Sequence, residues 1–169
     1  MSPKQTHTLD RILHWLSAVA ILFLLFDMGT RIHNIDYRTK GAIQHKQDAI
    51  ELHVTIAAML FIILVMRILW SRYCLHPDHR PNYHNSKHQW LVKLVHTSMY
   101  FTLFAMMISG IAMVTNYEHA LSMWDVFTLS IQDTNQALFV NANNWHLRLE
   151  SLLYLLIFVH FAGAIYNRR

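Results

Sequence analysis

The chain has 169 residues, of which 54% are hydrophobic and 14% charged, with a single cysteine, Cys74. That balance excludes an ordinary soluble domain and a disulfide-stapled one, and points to a membrane helix bundle held by packing or by a bound cofactor. The formal net charge of +4 is divided among several loops, so no nucleic-acid surface is expected.

Four stretches reach the roughly 20 apolar residues that a bilayer crossing requires. They run over about 9–28 ("LDRILHWLSAVAILFLLFDM"), 50–70 ("IELHVTIAAMLFIILVMRILW"), 91–115 and 145–166. The predicted fold class is therefore all-α, an integral membrane four-helix bundle forming one domain over 1–169. The first stretch does not read as a cleaved signal peptide, because Ala18-Val19-Ala20 precedes most of its apolar run. Between the third and fourth spans, "LSMWDVFTLSIQ" from Leu121 is apolar but too short to cross. It reads as an interfacial helix with Trp124 at headgroup level. No Gly-rich phosphate loop, CxxC pair or hydrolase-type serine motif occurs.

Basic residues set the expected orientation. Lys4, Arg11, Arg67, Arg72, Arg80, Lys87, Lys93, Arg168 and Arg169 fall on one side. Arg31, Arg38, Lys40, Lys46 and Arg148 fall on the other, and the third loop has neither Lys nor Arg. The positive-inside rule then places both termini in the cytoplasm.

The last helix, "WHLRLESLLYLLIFVHFAGAIYNRR", carries His146 and His160, fourteen residues apart. Fourteen steps are nearly four turns, so both rings emerge within roughly 40° of one another and roughly 21 Å apart along the axis. Ionisable side chains inside spans are costly and face the bundle interior or a cofactor. With the orientation above, His14 and His160 lie at cytoplasmic depth, while His53 and His146 lie at the outer depth. Four histidines thus form two pairs at two depths, and the fourth helix contributes to both. Haem iron with two axial imidazoles needs such facing helices, with room for a flat apolar macrocycle between them. His96, in the third span, has no partner in this scheme and reads as a hydrogen-bonding or propionate-contacting residue. The loop "HPDHRPNYHNSKH" includes His84 and His88 at a spacing that clamps a transition metal. Its prolines and polar composition favour a solvated loop instead. The other bland reading, a membrane histidine as a helix–helix hydrogen bonder, is the commoner one for each histidine singly, while the depth pairing of all four favours ligation.

On "RILHWL", "ELHVTIAAMLFIILVMRILW", "LVHTSMYFTLFAMMISGIAM" and "WHLRLESLLYLLIFVH", the chain resembles the bacterial cytochrome b561 family of four-helix, dihaem membrane proteins. The resemblance covers nearly the whole chain. It implies two haem b groups, the inner on His14 and His160 and the outer on His53 and His146. It also implies ubiquinone as electron partner, with superoxide as a donor on the pattern of a superoxide:ubiquinone oxidoreductase. Arg67 matches a family arginine; it lies fourteen residues after His53, on the same helix face at inner-haem depth. Arg11, one turn before His14, is similarly placed. Each has two readings, a bidentate partner of a haem propionate or an interfacial anchor. Departures from the pattern are Ala57 where a glycine is frequent, Ile108-Ser109-Gly110 where a proline is frequent, and Asn167 where another histidine is frequent.

The expected function is electron transfer across the inner membrane, to or from quinone, with a periplasmic donor. The basic outer residues would attract a small anionic donor such as superoxide. The rival within the same class is a cytochrome b subunit relaying electrons for a separate catalytic protein. A haem-free metal transporter would instead rely on the second-loop histidines.

Overall fold

The computed structural model describes residues 3–31, 41–73, 86–119, 121–123, 127–129 and 134–166. Its elements in chain order are α1 (Pro3–Arg31), α2 (Ala42–Tyr73), α3 (Ser86–Val114), β1 (Leu121–Met123), β2 (Phe127–Leu129) and α4 (Gln136–Tyr166). Within the helices, the segments long and apolar enough to cross a membrane are Thr8–Asp27, Ile43–Tyr73, Gln89–Val114 and Gln136–Tyr166. The four predicted spans are thus present as helices. Apolar side chains occur all round them: Phe26, Phe101 and Phe158 are each more than 70% exposed. Rings of that size left uncovered in water would forfeit about 2 kcal/mol each, so lipid is the medium that suits these surfaces.

The elements group into two compact units, one of α1, α2 and the two strands, the other of α3 and α4. In the first unit α1 packs on α2, and β1 packs on α2. The buried positions of α1 include Ser17, Ile21 and Leu24, which continue the three-and-four spacing that starts at His14. Those of α2 include Ala49, Leu60 and Leu64, and His53 and Arg67 lie seven residues to either side of Leu60. In the second unit α3 packs on α4. Here α3 buries Val95, Thr102 and Ser109, and Asn116 just beyond its end continues the seven-residue spacing. On α4 the matching row is Phe139, His146, Leu153 and His160, with Leu153 buried to 1% exposure. A repeat of seven keeps one stripe of each helix facing its neighbour, and small or polar residues in it let two backbones approach closely.

Two local features differ from the sequence expectation. The stretch from Leu121 is not an interfacial helix. It forms antiparallel strands with Leu121 opposite Leu129, Ser122 opposite Thr128 and Met123 opposite Phe127. Two contacts favour this. Leu121 is 1% exposed, and the Ser122 amide donates to Glu51 Oε1 at 2.9 Å. A carboxylate on α2 therefore accepts from a backbone donor that a helix would have used internally. Glu51 also accepts from Gln47 Nε2 one turn earlier, at 3.1 Å. Trp124 lies outside the described residues.

The fourth helix begins at Gln136, nine residues before the predicted span. Asn135 caps it, its Oδ1 accepting from the Leu138 amide at 3.1 Å. The Asn135 amide in turn donates to Asn116 Oδ1 at 2.9 Å, while Asn116 Nδ2 donates to the Ala112 carbonyl at 2.9 Å. One buried asparagine thereby joins the end of α3 to the start of α4. In the first unit, Gly41 takes a left-handed φ of 86° just before α2, where an L side chain is strained. Its carbonyl accepts from the His45 amide at 2.9 Å.

Leu153→Ala removes a fully buried side chain from the α3–α4 seam and is expected to destabilise the protein by about 2–5 kcal/mol. Leu155→Ala, at a position 59% exposed, is expected to cost under about 0.5 kcal/mol. Unfolding of the detergent-solubilised variants measures the difference.

Candidate haem-ligand histidines

Each candidate histidine is half-buried on its helix: His14 on α1, His53 on α2, His96 on α3, and His146 and His160 on α4. Ser17 Oγ donates to the His14 carbonyl at 2.8 Å, which spends the serine hydroxyl within its own helix. The His14 ring meets the Trp15 ring edge-on at 5.8 Å between centroids. Trp15 itself is 64% exposed, so it suits the lipid-facing anchor expected near span ends. Arg11 is exposed and Arg67 is half-buried.

The second unit gives the most informative geometry. The His96 and His160 rings lie perpendicular with centroids 4.9 Å apart. His146 Nδ1 lies 2.9 Å from Ser109 Oγ. Along α3 the contact points are thirteen residues apart, and along α4 they are fourteen apart in the reverse order. Helices α3 and α4 are therefore antiparallel, and both α4 histidines face α3 at two levels about 20 Å apart. The one-face, two-depth arrangement expected for His146 and His160 is present in this unit.

The chemistry at each level follows from donors and acceptors. His96 Nδ1 lies 2.7 Å from the Val92 carbonyl. A carbonyl only accepts, so the His96 proton sits on Nδ1 and the lone pair on Nε2. At the other level Ser109 Oγ donates its one proton to the Met106 carbonyl at 2.9 Å. With its proton so placed the serine accepts from His146, and a His146 ring that offers Nε2 to a metal carries its proton on Nδ1. Its Nε2 lone pair is the atom suited to a metal. A neutral imidazole with Nδ1–H engaged is the usual state of a histidine ligand. The donor set thus fits haem, whose macrocycle supplies four nitrogens of its own. Among the described residues, no group of three or more His, Cys, Asp or Glu side chains gathers to hold a bare metal ion.

The His146 ring lies beside Gly110 of α3: a Cβ built there would meet His146 Cε1 at 3.7 Å, an ordinary contact. Of the expected outer basic patch, Arg38 and Lys40 lie outside the described residues, as does the side chain of Arg31. Lys46 is half-buried, and the Arg148 guanidinium lies over the Trp145 ring, 5.4 Å from its centroid. The second-loop residues His76, His79 and His84, with the His88 side chain, also lie outside the description, as do Cys74 and Asn167. Sequence reasoning passed over Ser109 as a departure at a proline position. The signal available was its place thirteen residues after His96, in the repeat of Val95 and Thr102.

The family model for prokaryotic cytochrome b561 matches residues 5–169. The chain belongs to the prokaryotic cytochrome b561 family. It is a multi-pass membrane cytochrome, and the family implies haem b and electron transfer. Among curated proteins it is similar to cytochrome b561 homolog 2 of Escherichia coli (strain K12), 29% identical over 126 residues. That match covers 75% of this chain and 64% of the relative, so the chain spans somewhat less than two thirds of that protein's length.

Gly110→Ala is expected to be accommodated, since the added methyl makes an ordinary contact and alanine favours the helix by about 1 kcal/mol. Gly110→Leu drives its branch into the His146 ring and is expected to perturb the haem absorption spectrum. Spectra of the two purified variants, compared with the parent, check this.

Proposed function

We propose that the chain is a single-domain electron carrier of the inner membrane holding two bis-histidine b haems. His14 and His160 ligate the inner one, and His53 and His146 the outer. The pairing rests on the sequence depths of the four rings. The observation that carries the reading is the placement of His146 and His160 against α3 at two levels, both on the seven-residue row of α4 that includes buried Leu153. When bound, haem iron supplies one-electron chemistry by cycling between ferric and ferrous states.

The protein's own contribution is positional. The seams of α1 and α2 hold His14 and His53 among buried apolar residues, and α3 backs the two α4 rings. The apolar helix faces exclude water from the imidazoles. Both termini are cytoplasmic on the distribution of basic residues, which puts the donor on the periplasmic side. The electron partner is a quinone, and superoxide is the donor implied by the family resemblance. Superoxide-dependent reduction of ubiquinone by the purified protein alone supports that donor. A requirement for a second protein would make the chain a cytochrome b subunit instead.

Single substitutions test the pairing. His14→Ala or His160→Ala is expected to remove one redox transition, and His53→Ala or His146→Ala the other. Potentiometric titration with optical detection reads this directly; loss of the same transition in His14→Ala and His53→Ala overturns the pairing.

Arg67 provides an electrostatic test. It lies fourteen residues from His53 on α2, so it belongs to the inner level. A guanidinium near an inner propionate disfavours the more cationic ferric form and raises the potential. Its partial exposure holds the interaction to about 1 kcal/mol, and for a one-electron couple at 59 mV per tenfold that is roughly 40 mV. Arg67→Gln is expected to lower the inner potential by that amount and to leave the outer one in place. An unchanged inner potential assigns Arg67 to interfacial anchoring.

A further inference from the structure

We propose that Ser109 is a positioning residue for the outer haem. It fixes the His146 ring in its Nδ1–H tautomer and presents Nε2 to the iron. The inference rests on the reading above, in which His146 is an axial ligand.

Ser109 is buried at 8% exposure, and its hydroxyl has one proton. That proton goes to the Met106 carbonyl, one turn back on α3, at 2.9 Å. The same oxygen lies 2.9 Å from His146 Nδ1 on α4, and with its proton committed it accepts there. With Nε2 given to iron, Nδ1 carries the proton, and the bonds run from His146 Nδ1–H to Ser109 Oγ–H to the Met106 carbonyl.

Two other helical serines make only the local bond. Ser17 Oγ donates to the His14 carbonyl at 2.8 Å, and Ser151 Oγ to the Leu147 carbonyl at 3.1 Å. Those bonds run back along their own helices, as serines in helices commonly do. Ser109 makes the same local bond and also bridges to a ring on the facing helix. It sits on the buried row with Val95, Thr102 and Asn116, so packing locks the hydroxyl where the ring can use it. A partner of this kind orients a ligand and raises its basicity. Donation through Nδ1–H leaves more electron density at Nε2, which favours ferric over ferrous iron. The bond therefore holds the potential of that haem down.

The test compares Ser109→Ala, Ser109→Thr and His146→Ala in the full-length holoprotein. Ser109→Ala is expected to keep both haems and to raise the potential of the transition that His146→Ala abolishes. A threefold to tenfold shift of the ferric–ferrous equilibrium corresponds to about 28 to 59 mV at 59 mV per tenfold. The other transition stays in place, and Ser109→Thr, which keeps the oxygen, restores the parental potential. If Ser109→Ala does not accumulate, Ser109→Cys, with a weaker acceptor of similar size, is expected to show a smaller upward shift. An unchanged potential in the Ala or Cys variant, or a shift that threonine does not reverse, overturns the inference. Retention of both transitions in His146→Ala overturns the underlying ligand assignment instead, so the two failures are distinguishable.

Discussion

A histidine every fourteen residues on a helix that packs in sevens is the constraint on which this molecule depends. Fourteen is two such repeats, so His146 and His160 return to the stripe of α4 that faces α3, with fully buried Leu153 midway between them. The apolar faces of the same helix are free to meet lipid, and Phe158, 71% exposed, does so at no cost that water would impose. Shifting either histidine by two positions would turn its ring through about 200° and out of the seam. Packing period and histidine period coincide, so both rings lie on the face of α4 that meets α3.

Polar groups in an apolar medium must be satisfied, and the second unit shows how this is done without sacrificing close packing. His96 bonds to the Val92 carbonyl of its own helix, and Ser109 to that of Met106. Each bond uses a second lone pair on a carbonyl already engaged in the helix, so the ladder survives. At the α3–α4 turn, Asn116 accepts from the Asn135 amide while donating to Ala112. These short polar side chains are small enough to sit in a close seam and still tie its ends together. The Arg148 guanidinium, further along α4, lies over the Trp145 ring.

Much of this was legible in the sequence. The four spans follow from uninterrupted apolar runs, and the two levels follow from the positions of the histidines alone. What was not legible has a physical explanation in each case. The early start of α4 is hidden because Asn141, Asn143 and Asn144 dilute the apolar signal, although Asn135 is a good capping residue. The strands from Leu121 escape because their stability comes from burial of Leu121 on α2 and from the distant Glu51 carboxylate. Neither contact can be read from nine residues of local sequence. Ser109 is ambiguous for a related reason: a serine in a span usually bonds its own backbone, and only the facing ring gives it a second role.

The central claim is that four histidines on three helices, α1, α2 and α4, carry two b haems in one chain. Quantifying haem by its pyridine haemochrome against protein by amino-acid analysis tests this most directly, with low-temperature paramagnetic resonance of the oxidised sample. The account predicts two noncovalent haem b per chain, since no CxxCH attachment motif occurs, and two low-spin ferric signals. One haem per chain, or a high-spin signal from five-coordinate iron in the intact protein, would contradict it.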